Sequence, residues 1–482
     1  MKEIAARALD TCQALGAHYA DIRIVHSEIE SLTVRDGNVA AMASEESRGF
    51  GIRVLLDGAW GFASSSLVTE GEVDRVAEQA VAIAKATRAA LRKPIRLGPP
   101  VVSHGRYETP VVIDPFTVAL SRKLEILMAA DAAMAEIKSV RTREGSLGWQ
   151  RQTKLFASTD GSLVEQILVE SGGGIEATAV EGPEVAKRSY PNSFGRHLGT
   201  QGFELVEAID LPGNAGRIAE EAVGLLTAPA CPAGKTTLVL ESSQLALQVH
   251  ESVGHPIELD RVFGWEASYA GTSFLEPSMA GQFRYGSDLI NVTADATVPG
   301  APGTFGYDDE GVPAQATPII RGGIFRNFLT SRETAAEIDQ ASNGTMRADS
   351  WGRIPLIRMT NVNLEPGEAP SLEALLADVD EGVYMQTNKS WSIDDRRLNF
   401  QFGTEIAREI KNGRLGRILR NPIYTGITPE FWASCDALGD RSLWTMWATP
   451  NCGKGQPGQT IHVGHGAPAG RFRDVEVGSA RK

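Results

Sequence analysis

Along residues 2–15 the apolar positions Ile4, Ala8, Leu9, Cys12 and Leu15 share one helical face while Glu3, Arg7 and Asp10 lie elsewhere, the periodicity of an amphipathic helix. The pattern then changes to alternation. Residues 21–26, 31–34, 51–56 and 61–64 read as strands, with Asp57-Gly58 as a hairpin signal between the last two. Helical periodicity returns at 72–90 and 117–137, and Asp160-Gly161 marks a second hairpin between 155–157 and 163–169. A helix is expected over 203–226. Two prolines and a glycine in 228–234 then read as a linker ahead of a strand at 235–241. Farther on, short strands bounded by glycine and proline dominate: 289–292, 318–321, 357–364, 382–386, 400–406 and 460–463. The pattern predicts an α+β chain in two parts. Residues 1–228 form an N-terminal mixed α/β domain, with helices covering one side of a largely antiparallel sheet. Residues 229–482 form a β-rich, barrel- or sandwich-like metal-binding domain.

Composition narrows the function classes. A chain of 482 residues with 42% apolar and 22% charged residues has ample material for a packed core. Its net charge of −13 repels phosphates, and the one basic tail, Arg471, Arg473, Arg481 and Lys482, is short, so no nucleic-acid partner is expected. No apolar run approaches the roughly 18 residues that span a bilayer, and no signal peptide is read at the N-terminus, so no membrane association is expected and the location reads as cytoplasmic. Cys12, Cys231, Cys435 and Cys452 are far apart, which argues against a disulfide framework and for a reducing compartment. The first three read as small buried hydrophobes.

The candidate chemistry centres on His250-Glu251-Ser252-Val253-Gly254-His255. Two imidazoles and a carboxylate on one helix-like segment read as a metal site with its own base. The histidines are five apart rather than four. In a regular helix that spacing leaves them about 140° apart, so a π-bulge or a helix ending must intervene, and Pro256 supports a distortion there. Cys452 lies in the glycine- and proline-rich loop 451–457, which packs poorly as core but can bring a thiolate close to a metal. Gly453, Gly455 and Gly458 match a dinucleotide fingerprint, but Pro457 and the strand-like residues after it deny the helix that fingerprint requires, so no nucleotide is expected.

Glu258 and Asp260 read either as acceptors orienting an imidazole, as ligands replacing Cys452, or as a solvated acidic edge. His462 and His465 read as oxyanion donors or as structural histidines. The run Asp308-Asp309-Glu310-Gly311 reads as a surface turn or a channel lining. Phe431, Trp432, Trp444 and Trp447 read as core.

Residues 250–260, the stretch 307–313 and the loop 451–456 together resemble the TldD/PmbA family of metallopeptidases, in order and distance from about residue 1 to 478. The chain resembles the TldD branch, which keeps the metal motif, rather than the TldE/PmbA branch, which lacks it. The resemblance implies His250, His255 and Cys452 as metal ligands and Glu251 as the catalytic carboxylate. It also implies peptides or unfolded polypeptide segments as substrates. Action as a dimer follows too, with an identical subunit or a metal-free homologous partner. Zinc best suits two imidazoles and a thiolate, with iron as the alternative. Two other readings stand beside this one: a metal-dependent hydrolase of a non-peptide bond, and a binding or gating subunit whose metal is structural.

Overall fold

The computed structural model describes residues 1–193 and 196–480; Arg481 and Lys482 of the basic tail lie outside them. The N-terminal half is built on long antiparallel strands. Tyr19–Arg35 pairs with Asn38–Leu56 on one side and with Val140–Ser158 on the other, and Leu163–Glu181 extends the sheet beyond Val140–Ser158. The short strand His104–Glu108 is added in parallel.

The segments expected at 21–26 and 31–34 are one strand of 17 residues. Alternation fails between them because Glu28 and Glu30 share the sheet face of Ile24 and Leu32 but fall in the gap between two helix-covered cores. Glu30 accepts a hydrogen bond from Trp149 Nε1 at 3.0 Å in that gap. On one side of it Ile22, Ile24 and Phe50 pack under the helices Lys2–Ala14 and Glu70–Arg88. On the other, Leu32, Val34 and Leu147 pack under Leu120–Ala135 and Leu211–Thr227.

The helix expected over 203–226 is two helices, Phe203–Ile209 and Leu211–Thr227. Asp210 separates them in a left-handed conformation (φ 49°) and caps the second through its side chain on the Gly213 N–H, ahead of Pro212 at the start of that helix.

In the C-terminal half five strands close on themselves. Glu381–Ile393 pairs in parallel with Gly234–Leu240, which pairs with Gly470–Ser479. That strand pairs with Pro422–Ile427, which joins Asn399–Lys411, and Asn399–Lys411 returns to Glu381–Ile393. The architecture is therefore a barrel and not a sandwich. Phe402, Tyr424 and Phe472 from its strands pack with Leu245, Val249 and Val253, which follow the first barrel strand. A two-stranded hairpin, Thr445–Lys454 with Gln459–Ala467, lies beside this core.

The acidic run 308–310 is neither a surface turn nor a channel lining. Arg23 and Arg53 belong to the sheet face opposite the helices, and there Asp309 meets Arg23 at 3.3 Å and Lys154 at 2.6 Å, while Glu310 meets Arg53 at 3.3 Å. Asp308 spends its carboxylate on the backbone N–H groups of Glu310, Val312 and Met346. The turn is a buried plug joining the two halves; a row of acids looks solvated in sequence because its cations lie more than a hundred residues away. No described helix is long and apolar enough to cross a membrane.

Candidate metal centre

The helix Ser242–Val249 passes directly into a single π turn, His250–Gly254, in which the His255 N–H bonds the His250 carbonyl at 3.1 Å. The extra residue in the turn brings positions five apart onto one side. Local chemistry explains why the turn forms here. Pro256 has no N–H to give the Ser252 carbonyl four residues before it, and the Tyr285 hydroxyl donates to that carbonyl instead. Gly254 is bare because a Cβ there would fall 2.2 Å from Met359 Sδ. A buried polar ladder at helical spacing holds the preceding turns: Gln244 and Gln248 both engage the Tyr424 hydroxyl at 2.9 Å, and Ser252 Oγ accepts from Gln248 Nε2 and Trp432 Nε1, each at 3.0 Å.

One ligand atom from each of His250, His255 and Cys452 lies within 4.8 Å of the others, and all three residues are buried. The hairpin supplies Cys452. A register shift between Thr449 and Cys452 sets Cys452 opposite Ile461, and Arg358 Nη2 fixes the loop by donating to the Cys452 carbonyl. The imidazole tautomers follow from the partners. His465 Nδ1 lies 3.0 Å from the Val362 carbonyl and must donate to it, so its Nε2 is an acceptor; His250 Nδ1, 2.7 Å from that Nε2, therefore carries a hydrogen. His255 Nδ1 likewise donates to Glu258 Oε2 at 2.9 Å. Both histidines are left with an unprotonated Nε2, the form a metal needs.

Electrostatics favour the same state. Burial lowers His250 and pushes His255 down to about 4, keeping both neutral at ordinary pH. Burial alone would raise the Cys452 thiol, but the Arg358 guanidinium and the His255 hydrogen bond outweigh it and pull the thiol below its usual range. Two neutral imidazoles and a thiol inclined to ionise fit a borderline-soft divalent cation such as zinc.

The remaining candidates fall into place around this cluster. Glu258 stands behind His255, and burial alone would raise its carboxyl; Lys454 Nζ at 3.2 Å, with His255 and Arg261, draws it well below the carboxylate range instead. Asp260 takes Lys454 Nζ at 2.8 Å. Neither acid is a solvated edge. His465 stands behind His250, and His462 faces Glu170 at 2.5 Å on another surface, so neither lines the cleft in which the cluster sits. The glycine loop after Cys452 is the turn of a hairpin, with no helix opening in it. Of the aromatic group, Phe431 and Trp432 are core, whereas Trp447 walls the cleft and donates to Ser242 Oγ at 2.8 Å.

The cleft has a volume of about 250 Å³, and its walls include His250, Glu251, His255, Trp391, Arg397 and Cys452. Sequence reasoning misses Arg397, whose Nη1 donates to Glu251 Oε2 at 2.7 Å, and the fully buried Lys454 and Arg358. Lys454 is two residues past Cys452, which is the one signal available; Arg397 and Arg358 carry none, since a buried arginine and a surface arginine look alike in sequence.

Comparison with known proteins covers nearly the whole chain. Family models for the PmbA/TldA metallopeptidases match as domain 1 at residues 20–84, central domain at 113–227 and C-terminal domain at 233–479. A metalloprotease of Methanocaldococcus jannaschii is 31% identical over 93% of this chain and 94% of its own length. A metalloprotease TldD homolog of Haemophilus influenzae is 28% identical over 95% and 92%. A zinc metalloprotease TldD homolog of Saccharolobus solfataricus is 23% identical over 97% and 98%. Among solved structures, TldE from Thermococcus kodakarensis superposes with a TM-score of 0.73 at 17% identity, covering 98% of this chain and 100% of that one. A proposed modulator of a DNA gyrase from Thermotoga maritima gives a TM-score of 0.78 at 18% identity, covering 99% of each chain. These last two likenesses concern the fold.

Proposed function

The chain belongs to the PmbA/TldD family of metallopeptidases, and from that membership we propose that it is a peptidase of the TldD branch, hydrolysing peptides or unfolded polypeptide segments with Glu251 as general base. The observation that carries the reading is the convergence of three donor atoms of His250, His255 and Cys452 within 4.8 Å, in a cleft that also contains Glu251. We assign these three as ligands of a zinc ion, within a catalytic half spanning residues 229–482. Zinc, when bound, lowers the pKa of a water and polarises a carbonyl.

The chain's own groups do the rest. His465 and Glu258 keep the two imidazoles in one tautomer and one orientation. Arg397 fixes one oxygen of Glu251, and the other has no hydrogen-bond partner among the described residues, so it is free to accept a proton from water. As the water oxygen bonds to the carbonyl carbon, Glu251 takes that proton, and it passes it to the amine when the C–N bond breaks; the products are one acid and one amine. Action in the cytoplasm as a dimer, with an identical subunit or a TldE-type partner, belongs to the same proposal.

The test is hydrolysis of a fluorogenic peptide library by metal-stripped, zinc-reloaded and Glu251→Gln protein. Stripping is expected to abolish turnover and zinc to restore it. Glu251→Gln is expected to hold metal but lose roughly two or more orders of magnitude in rate. Wild-type turnover by Glu251→Gln would remove Glu251 from the reaction.

A further inference from the structure

Water addition moves the π electrons of the scissile carbonyl onto its oxygen, and that oxyanion needs a fixed donor beside the base. His462 faces Glu170 on another surface, and His465 is fully engaged behind His250, so neither histidine reaches the reacting carbonyl. Among the described residues of the cleft wall, two are permanently cationic, Arg196 and Arg397. Arg196 is exposed and forms no ion pair among the described residues. Arg397 is held at four points, one of them its own backbone N–H donating to the Asp394 carbonyl at 2.9 Å. Its Nη1 donates to Glu251 Oε2 at 2.7 Å, its Nη2 to the Ala270 carbonyl at 3.2 Å, and its own carbonyl accepts from Thr428 Oγ1 at 2.9 Å. Its backbone adopts a left-handed conformation (φ 63°) in the turn between Glu381–Ile393 and Asn399–Lys411, a position that favours glycine.

A guanidinium has five N–H donors, of which these contacts use two, and Nε is buried without a partner. Donor capacity beyond what the resting structure uses, on a rigid cation that already touches the base, is what charge development on a neighbouring oxygen calls for. We propose that Arg397 is the oxyanion-stabilising residue of the reaction, an assignment that rests on the peptidase reading given above. It donates to the carbonyl oxygen as the water oxygen bonds to carbon. It releases that oxygen when the carbonyl re-forms and the C–N bond breaks, the amine leaving with the proton from Glu251.

A residue that merely positioned Glu251 would share the contact with the carboxylate, so the test separates the two roles. Affinity for a phosphinic peptide, whose tetrahedral anion mimics the oxyanion, is measured alongside affinity for the matching uncleaved peptide. The proteins are zinc-loaded wild type, Arg397→Ala, Glu251→Gln and the double variant, with zinc content determined for each. Arg397→Ala is expected to lower kcat by about 10²–10³-fold with little change in KM. It is expected to weaken phosphinate binding by a similar factor both alone and in the Glu251→Gln background, while leaving peptide affinity and zinc content unchanged. Arg397→Lys, which keeps a charge, and added guanidinium ion with Arg397→Ala are each expected to recover part of the loss. Undiminished phosphinate affinity on adding Arg397→Ala to Glu251→Gln would overturn the proposal and leave Arg397 a positioning residue. If wild type itself neither cleaves the peptide nor binds the phosphinate, it is the peptidase reading that fails.

Discussion

His462 Nδ1 lies 2.5 Å from Glu170 Oε2, joining the hairpin that carries Cys452 to the long strand Leu163–Glu181 of the N-terminal sheet. Burial alone would lower this imidazole, but Glu170 outweighs it, and the opposing Arg347, and raises it above its ordinary value. A histidine raised in the folded state adds stability that is fully present below about pH 6.5 and is lost as pH climbs through the folded value. Glu170→Gln is therefore expected to lower Tm most near pH 6 and progressively less toward about pH 9. A Tm difference independent of pH would show an imidazole that is neutral throughout.

Two buried cysteines provide an internal control. Cys452→Ala is expected to lose stoichiometric zinc and activity while remaining folded, because a thiolate ligand contributes strongly to zinc affinity. Cys435 packs in the core, where burial pushes its thiol up to about 12, so Cys435→Ala is expected to cost a few kcal/mol, roughly, and keep the metal. Zinc content and Tm of both variants check this, and zinc retained by Cys452→Ala would move suspicion to another ligand.

His465 offers a second control, since it touches the metal cluster only through His250. His465→Ala is expected to weaken zinc binding by about 10–100-fold in competition with a chelator, because His250 loses the acceptor that fixes its tautomer. His465→Gln, which can present an amide oxygen, is expected to recover part of that loss.

The π turn makes a steric prediction. Gly254→Ala places a methyl 2.2 Å from Met359 Sδ in the closed core, so it is expected to destabilise the fold by about 1–3 kcal/mol and, by distorting the turn that aligns His250 with His255, to weaken zinc binding. Adding Met359→Ala opens space beside it and is expected to bring back part of the zinc affinity lost with the turn. Unchanged Tm and zinc affinity in the single variant would show that the turn tolerates a side chain.

What is legible in the sequence is what local periodicity or residue spacing encodes. The helices Lys2–Ala14 and Glu70–Arg88 show their apolar faces directly, and the five-residue interval with Pro256 announces a distorted helix. Barrel closure is not legible, because Gly234–Leu240 and Gly470–Ser479 meet across more than two hundred residues. Strand length is hidden wherever charges such as Glu28 and Glu30 occupy gaps between helices. Buried cations are hidden for a related reason. Lys454, Arg358 and Arg397 take partners from separate segments, and apart from the nearness of Lys454 to Cys452 nothing close to them in the chain marks them as interior.

The order in which these parts leave the ribosome matters. His250 and His255 emerge early in the C-terminal half, Cys452 some two hundred residues later, and the strand that seals the barrel, Gly470–Ser479, later still. A nascent or prematurely terminated chain thus carries the histidines and Glu251 without the third donor and without a closed barrel beneath them. A truncation before Gly470 is therefore expected to leave His250 and His255 beside an unclosed sheet, with neither stoichiometric metal nor turnover.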